Sequence, residues 1–226
     1  MITTNAFQRV FCISIGDSIG TCFTIEVGGK QYIITAKHVA EKIGEEVRIF
    51  HDNQWKTINM DLIGHCEDEI DISVLTSKIQ LSPVYDLQPT MAGLVWGQDV
   101  YFLGFPYGMS GEMGEFNRAF PLPFVKKAIV SCVNFKKGSI VCYLDGHNNP
   151  GFSGGPVVFK EPNKNNYKVA SVISGFRYEM EPIYDKENNA MSLGYKYNTG
   201  IIVSYGIKHA IDLIIKNPIG YKITKN

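Results

Sequence analysis

The sequence predicts an all-β protein: two six-stranded antiparallel barrels followed by a C-terminal helix. Three observations carry this. Short apolar, β-branched runs recur along the chain with Gly- or Pro-containing turns between them. They fall into two sets of about six, separated by a stretch where the pattern loosens. Helical periodicity is confined mainly to the end of the chain.

Val10 to Ile15 opens the series. Cys22 to Val27 alternates up to Gly28-Gly29, and Tyr32 to Thr35 resumes after it. Two glycines between such runs signal a hairpin, because they take the positive φ that a tight reversal needs. Val47 to Phe50, Trp55 to Ile63 and Ile70 to Leu75 complete the first set. Pro83 and Pro89 interrupt Leu81 to Gly97, which reads as a linker and divides the chain into 1–88 and 89–226. The second set comprises Val100 to Leu103, Ala128 to Val133, Ile140 to Leu144, Pro156 to Phe159, Val169 to Ile173 and Tyr197 to Val203. Ile207, Ala210, Ile211, Ile214 and Ile215 share one helical face, and Asn217-Pro218 ends it. Two long loops remain: the Gly- and Pro-rich 105–124 and the polar 177–196, which holds Asp185-Lys186-Glu187-Asn188-Asn189. Loops of this length in a compact domain are usually functional, so both are expected as sites for a regulatory partner.

Composition removes several function classes. Of 226 residues 45% are hydrophobic and 19% charged, which supports a buried core and argues against disorder. Lys+Arg and Asp+Glu are both 22, so no basic field exists to hold a phosphate backbone, and nucleic acid is not expected as a partner. No apolar run reaches membrane-spanning length, and the N-terminal residues lack the pattern of a secretory signal. The five cysteines, Cys12, Cys22, Cys66, Cys132 and Cys142, form no Cys-x-x-Cys pair. Zinc and redox motifs are thus unsupported, and a reducing, cytoplasmic setting with buried thiols is expected. Cys132 and Cys142 are the exception to watch, because they flank the Phe135-to-Gly138 turn and could face each other across a hairpin.

The sharpest local signal is Gly151-Phe152-Ser153-Gly154-Gly155-Pro156. A serine nucleophile needs an exposed hydroxyl at a tight turn and backbone N–H groups aimed at the carbonyl oxygen it attacks. Flanking glycines permit both, and Gly151 and Ser153 would supply the two N–H groups. Upstream, Ile33-Ile34-Thr35-Ala36-Lys37-His38-Val39 is a strand running into a turn that ends on a histidine, the setting of a general base. His51, His65, His147 and His209 lack it. Asp71-Ile72-Ser73-Val74-Leu75 leads an acid into an apolar strand, where it could be buried behind the histidine and fix its tautomer. Asp68 and Glu69 compete for that role, although an acidic turn normally stays solvated.

In the order His38, Asp71, Ser153, these segments resemble the chymotrypsin-like serine proteases, most closely their Deg/HtrA branch. Thr35-to-Val39 is similar to that family's Thr-Ala-x-His, Asp71-to-Leu75 to its Asp-Ile-Ala-Val-Leu, and Gly151-to-Val158 to its Gly-Asn-Ser-Gly-Gly-Pro segment. Gly104-Phe105-Pro106 and the closing helix are weaker echoes. The resemblance implies two barrels with the site between them and a cofactor-free, metal-free endopeptidase acting on protein or peptide substrates. A place in protein quality control or in a defence system is compatible with it, as is a latent or inactive peptide-binding relative. The departures are also specific. Val39 stands where the secreted branch has a cysteine, Phe152 stands where Asp or Asn precedes the nucleophile, and no PDZ domain is expected.

The resemblance further places the substrate pocket at His147-Asn148-Asn149-Pro150 and Ser174-Gly175-Phe176, with Gly200 and Ile201 behind. The backbone of Ser174 to Phe176 would pair with substrate as an added strand. No acid stands at His147, so a trypsin-like preference for Arg or Lys is disfavoured. Phe176 would favour a small or medium apolar side chain, whereas His147 would favour a polar or acidic one.

Overall fold

A computed structural model describes residues 2–67, 69–112, 117–136, 138–161 and 166–223. After a four-residue helix α1 (Thr4–Phe7) come β1 (Val10–Ile15), β2 (Ser18–Val27), β3 (Lys30–Thr35), β4 (Val47–His51), β5 (Gln54–Thr57), β6 (Met60–His65) and β7 (Ser73–Ser77). Then follow β8 (Gln88–Pro89), β9 (Asp99–Gly104), β10 (Phe124–Lys136), β11 (Ser139–Asp145), β12 (Pro156–Lys160), β13 (Tyr167–Tyr184), β14 (Ala190–Gly206), α2 (Lys208–Lys216) and β15 (Tyr221–Lys222). The first sheet runs β5-β4-β1-β2-β3-β7-β6 and curls into a half-barrel. The second runs β12-β9-β10-β11-β14-β13, and an additional β12–β13 ladder closes it into a barrel of six strands.

The expected two-barrel fold is present, with instructive differences in detail. The Trp55-to-Ile63 run is two strands, because β5 pairs with β4 and β6 with β7, on opposite edges of the sheet. Chain continuity through Ile58 and Asn59, rather than a ladder, joins those edges. Gly28 (φ 59°) and Gly29 (φ 74°) do make the two-residue hairpin that joins β2 to β3. Within the linker, β8 pairs in parallel with β13. The segment 177–196 is not a loop: it is the outer part of the long β13–β14 hairpin. Its central charged turn masked the strands, although Met191, Leu193, Tyr195 and Tyr197 fall at every second position of β14, exposed or half-buried along one face. Only Asp185 to Asn189 is a turn, with Asp185 Oδ1 accepting the N–H of Glu187 (2.9 Å) and of Asn189 (2.8 Å).

β1 shows how the strands position the cleft. All six of its residues are buried. Its odd positions, Phe11, Ile13 and Ile15, fill the first barrel with Cys22, Ile33 and Leu75. Its even positions, Val10 and Cys12, face Leu103, Phe105, Val158 and Val172 of the second barrel. A strand apolar on both faces is the signature of an element sandwiched between two cores. Ile207, Ala210 and Ile214 of α2 join this central layer, whereas Ile215 is 66% exposed and leaves the expected helix face. Leu213 packs instead, against Gly64 of β6. The chain then returns to the first sheet, where β15 pairs with β3.

All five cysteines are free thiols, and only Cys132 is exposed. Cys132 lies opposite Tyr143 and Cys142 opposite Val133, so neighbouring positions put the two thiols on opposite faces and the hairpin disulfide does not form. No helix is long and apolar enough to cross a membrane among the described residues. Of the other expected loop, 105–124, the described part is tied down at both ends. Gly111 bridges to Leu122, and Ala119 accepts the N–H of Asp52 at 2.8 Å; residues 113–116 lie outside the described residues.

Candidate active site

β3 ends at Thr35 and the chain makes a helical turn, in which Ala40 N–H donates to the carbonyls of Ala36 (3.2 Å) and Lys37 (3.0 Å). Val39 and Ala40 are buried in the first core, which fixes the turn and leaves His38 at the surface. Asp71 sits just before β7. His38 Nδ1–H donates to Asp71 Oδ2 at 2.7 Å, the His38 backbone N–H donates to Oδ1 at 2.9 Å, and Ser174 Oγ–H donates to Oδ2 at 2.6 Å. With Nδ1 as donor, Nε2 is left as an acceptor. The bond to Asp71 holds the His38 pKa above the ordinary histidine value, against the opposing effect of burial. Burial pushes the Asp71 carboxyl up, but the bonds from His38 and Ser174 outweigh it and the net displacement is downward. Of the competing acids, Glu69 is exposed and Asp68 lies outside the described residues.

Ser153 comes from the second barrel, on the turn between β11 and β12. Phe152 fixes this turn: it is fully buried in the second core and meets Phe102 edge-on at 4.9 Å. A buried ring thus occupies the position before the nucleophile. Gly151 has φ 103°, and a Cβ there would lie 2.2 Å from the Phe105 carbonyl oxygen. Gly154 has φ 84°, and a Cβ there would meet the Thr21 carbonyl oxygen at 2.1 Å. Both glycines are demanded by geometry as well as space.

Thr21 of β2 had no signal in the sequence beyond its place in a strand, yet it staples the turn to the first barrel. Its hydroxyl donates to the Gly151 carbonyl at 2.7 Å and accepts the Phe105 N–H at 3.2 Å, while its own N–H donates to the Ser153 carbonyl at 2.9 Å. On the other side of Gly151, the Pro150 carbonyl accepts the Tyr107 N–H at 2.9 Å. Both carbonyls flanking Gly151 are therefore pinned. Among the described residues no acceptor takes the N–H of Gly151 or of Ser153, so two donors stand free beside the hydroxyl. The Ser153 hydroxyl donates to the Ser174 carbonyl at 3.0 Å, and among the described residues nothing hydrogen-bonds His38 Nε2.

A cleft of about 320 Å³ adjoins the turn. His147 and Phe176 line it as expected, together with Tyr107, Tyr178, Lys196 and Asn198, which the sequence did not single out. Ser174 is the extra residue of a bulge in the β13–β14 ladder, and Gly175 pairs with Val203 just after it. Gly200 (φ 80°) does not line the cleft; its carbonyl accepts the Gly146 N–H at 2.9 Å behind it. The remaining histidines have partners elsewhere, His51 at Arg118, His65 at Ser73 and His209 at Ile140. Among the described residues no three His, Cys, Asp or Glu side chains gather as a metal site.

Comparison with known proteins agrees with this layout. AlgW, an HtrA-type protease seen with a tripeptide, superposes with a TM-score of 0.62 at 19% identity, over 96% of this chain and 62% of the AlgW chain. The inactive form of Rv3671c from M. tuberculosis H37Rv, a serine-to-alanine variant, superposes with a TM-score of 0.57 at 16% identity, over 96% of this chain and 90% of that one. At such identities the likeness speaks to the fold, a chymotrypsin-like pair of barrels. This chain spans less than two thirds of AlgW. No curated protein matches the sequence. The profile of the trypsin-like peptidase domain matches residues 20–162, from β2 through the end of β12, and so takes in His38, Asp71 and Ser153. Matched over more than half its length, the chain belongs to the family of trypsin-like peptidase domains.

Proposed function

We propose that this protein is a serine endopeptidase working through an acyl-enzyme. Ser153 attacks the peptide carbonyl, His38 takes its proton and later delivers it to the leaving amine, and Asp71 holds the imidazole in the tautomer with Nε2 free. The N–H groups of Gly151 and Ser153 receive the oxyanion. The observation that carries this reading is a chain of bonds across the two barrels: His38 and Ser174 donate to one Asp71 carboxylate, and the Ser174 carbonyl accepts the hydroxyl of Ser153, whose turn offers two unspent N–H groups. Neither a metal nor an organic cofactor takes part in these steps.

A second reading, a latent enzyme or peptide-binding module, is favoured by one contact: the Ser153 hydroxyl rests on the Ser174 carbonyl instead of His38. That carbonyl is the acceptor an added substrate strand would use. A substrate N–H arriving there competes for it and frees the hydroxyl to turn to Nε2. A partner acting at 105–124 or on the 177–196 hairpin would bias the same exchange. A cleavage-site profile on a proteome digest separates the readings. The endopeptidase gives new termini that vanish with Ser153→Ala; a binding module gives the same profile for both proteins.

A further inference from the structure

We propose that the cleft beside Ser153 selects polypeptides carrying an acidic side chain immediately before the bond to be cut, and that Lys196 reads that charge. This rests on the endopeptidase reading and names its substrate class.

The cleft is formed by 147–150, the segment leading into the nucleophile turn, and by the base of the β13–β14 hairpin. No Asp or Glu lines it. Lys196 pairs in register with Met180, so by strand alternation it shares a face with Tyr178 and points away from Glu179 and Glu181. The amine lies 3.3 Å from the centroid of the Tyr178 ring, a cation–π contact that holds it at the cleft. Among the described residues no carboxylate pairs with it. The acids of the opposite face are already engaged, Glu179 accepting from Tyr197 Oη and Glu181 from Tyr195 Oη.

A second cation lies behind the opposite wall. Lys126 Nζ donates to the His147 carbonyl and, at 2.8 Å, to Asn149 Oδ1, with no carboxylate among these partners. Burial lowers its pKa, as expected where an ammonium lacks a counter-ion. Asn149 Nδ2 in turn reaches Tyr107 Oη at 3.4 Å, and Asn198 Nδ2 spans the cleft to the Asn148 carbonyl at 2.8 Å. The lining therefore carries one ammonium, Lys196, and no carboxylate, with a second ammonium behind the wall.

The three classes of entering side chain fare differently. A Lys or Arg would meet Lys196 with no acid to compensate. A Leu or Val would desolvate the Lys196 ammonium without compensating its charge, which disfavours its entry. A carboxylate both compensates the charge and accepts the donors. Lys196 lies on a segment that sequence reading treated as loop, so the charge at this cleft was invisible before the hairpin register was known.

The test uses fluorescent peptides differing only in Glu, Gln, Leu or Lys at one position, with binding measured on Ser153→Ala and cleavage on the wild type. The Glu peptide is expected to bind and be cleaved at least about tenfold better than Gln, the lower end for a hydrogen bond to a charged group. Salt should shrink that margin. Lys196→Ala should reduce it to about twofold or less, Lys196→Arg should keep it, and Lys196→Glu should turn the preference toward the Lys peptide. Lys196 is exposed, so these variants fold. Equal treatment of Glu and Gln, a preference for Leu, or no binding of any peptide overturns the proposal. Fluorophosphonate labelling of Ser153 keeps the two levels apart. Labelling without Glu preference removes only the acidic selectivity. Glu-selective binding without labelling removes only the endopeptidase.

Discussion

Replacing Thr21 by Val tests whether the first barrel sets the nucleophile turn. Val has nearly the shape of Thr, and Thr21 is fully buried, so packing survives while the hydroxyl is lost. The Gly151 carbonyl and the Phe105 N–H then lose partners now at 2.7 and 3.2 Å. Each buried orphan costs about 1–3 kcal/mol, and the two are coupled, so roughly 2–5 kcal/mol is expected in total. For a chain of this size each kcal/mol lowers Tm by about 2–4 °C, which puts the loss at roughly 4–20 °C. With about 5–15 kcal/mol typical of a folded domain, a large part of the population stays native. The larger effect should fall on reactivity. Without the Thr21 hydroxyl the Gly151–Phe152 peptide loses its anchor, while the Pro150 carbonyl stays on Tyr107, so Gly151 is held from one side only and the aim of its N–H loosens. Such a donor is worth about 10²–10³ in rate where it has been removed elsewhere. The assay is the second-order rate of fluorophosphonate labelling at Ser153, below the variant's Tm, beside calorimetry. Labelling should slow at least about tenfold beyond any unfolded fraction, and Thr21→Ser should restore most of it. A Val variant that melts lower yet labels at the wild-type rate would refute the coupling.

Other consequences are quickly stated. Ser174→Ala removes one of three donors to Asp71 but keeps the backbone carbonyl, so labelling should slow by about 10- to 100-fold with little change in Tm. Asp71→Asn should slow it by about 10⁴, as wrong-tautomer variants of related triads do, while Glu69→Gln leaves it unchanged. Because the folded state raises the His38 pKa, the pair's contribution to stability is full below the ordinary histidine value and fades as pH rises through the raised one. In the proposed mechanism neutral His38 is the base, so labelling should climb through that same window while Tm falls slightly; Asp71→Asn should move the climb to lower pH and remove the fall in Tm. Iodoacetamide should modify Cys132 alone in the native protein and all five cysteines after denaturation. Burial pushes the Cys12 and Cys142 thiols up to about 12 and Cys66 to about 11, and Cys22 is fully buried. Modification of a buried thiol as fast as Cys132 would contradict the packing described.

The chemistry was more legible in the sequence than its scaffolding. His38, Asp71 and Ser153 stood out because the base, acid and nucleophile proposed for them each need a distinctive local setting, and Gly151 and Gly154 are residues no other side chain can replace at positive φ. Thr21 was invisible, since a threonine in a strand gives no hint that its hydroxyl crosses to another barrel. The outer hairpin reads as loop because its charged Asp185-to-Asn189 turn and Pro182 dominate the segment, although Met191, Leu193, Tyr195 and Tyr197 do alternate, so Tyr178 and Lys196 enter the site only with the register. Ser174 was expected for its backbone alone, and its side chain on Asp71 emerged only from the packing of the two barrels. Phe152 was a departure with no account until its burial showed that packing holds the turn.

The most direct test of the central claim is active-site titration with a fluorophosphonate, read by intact-mass and peptide mass spectrometry. The account predicts one adduct per chain, on Ser153, absent in Ser153→Ala and strongly slowed in His38→Ala, each variant being folded by circular dichroism. A folded wild-type protein that takes no adduct, or takes it on another serine, would contradict it.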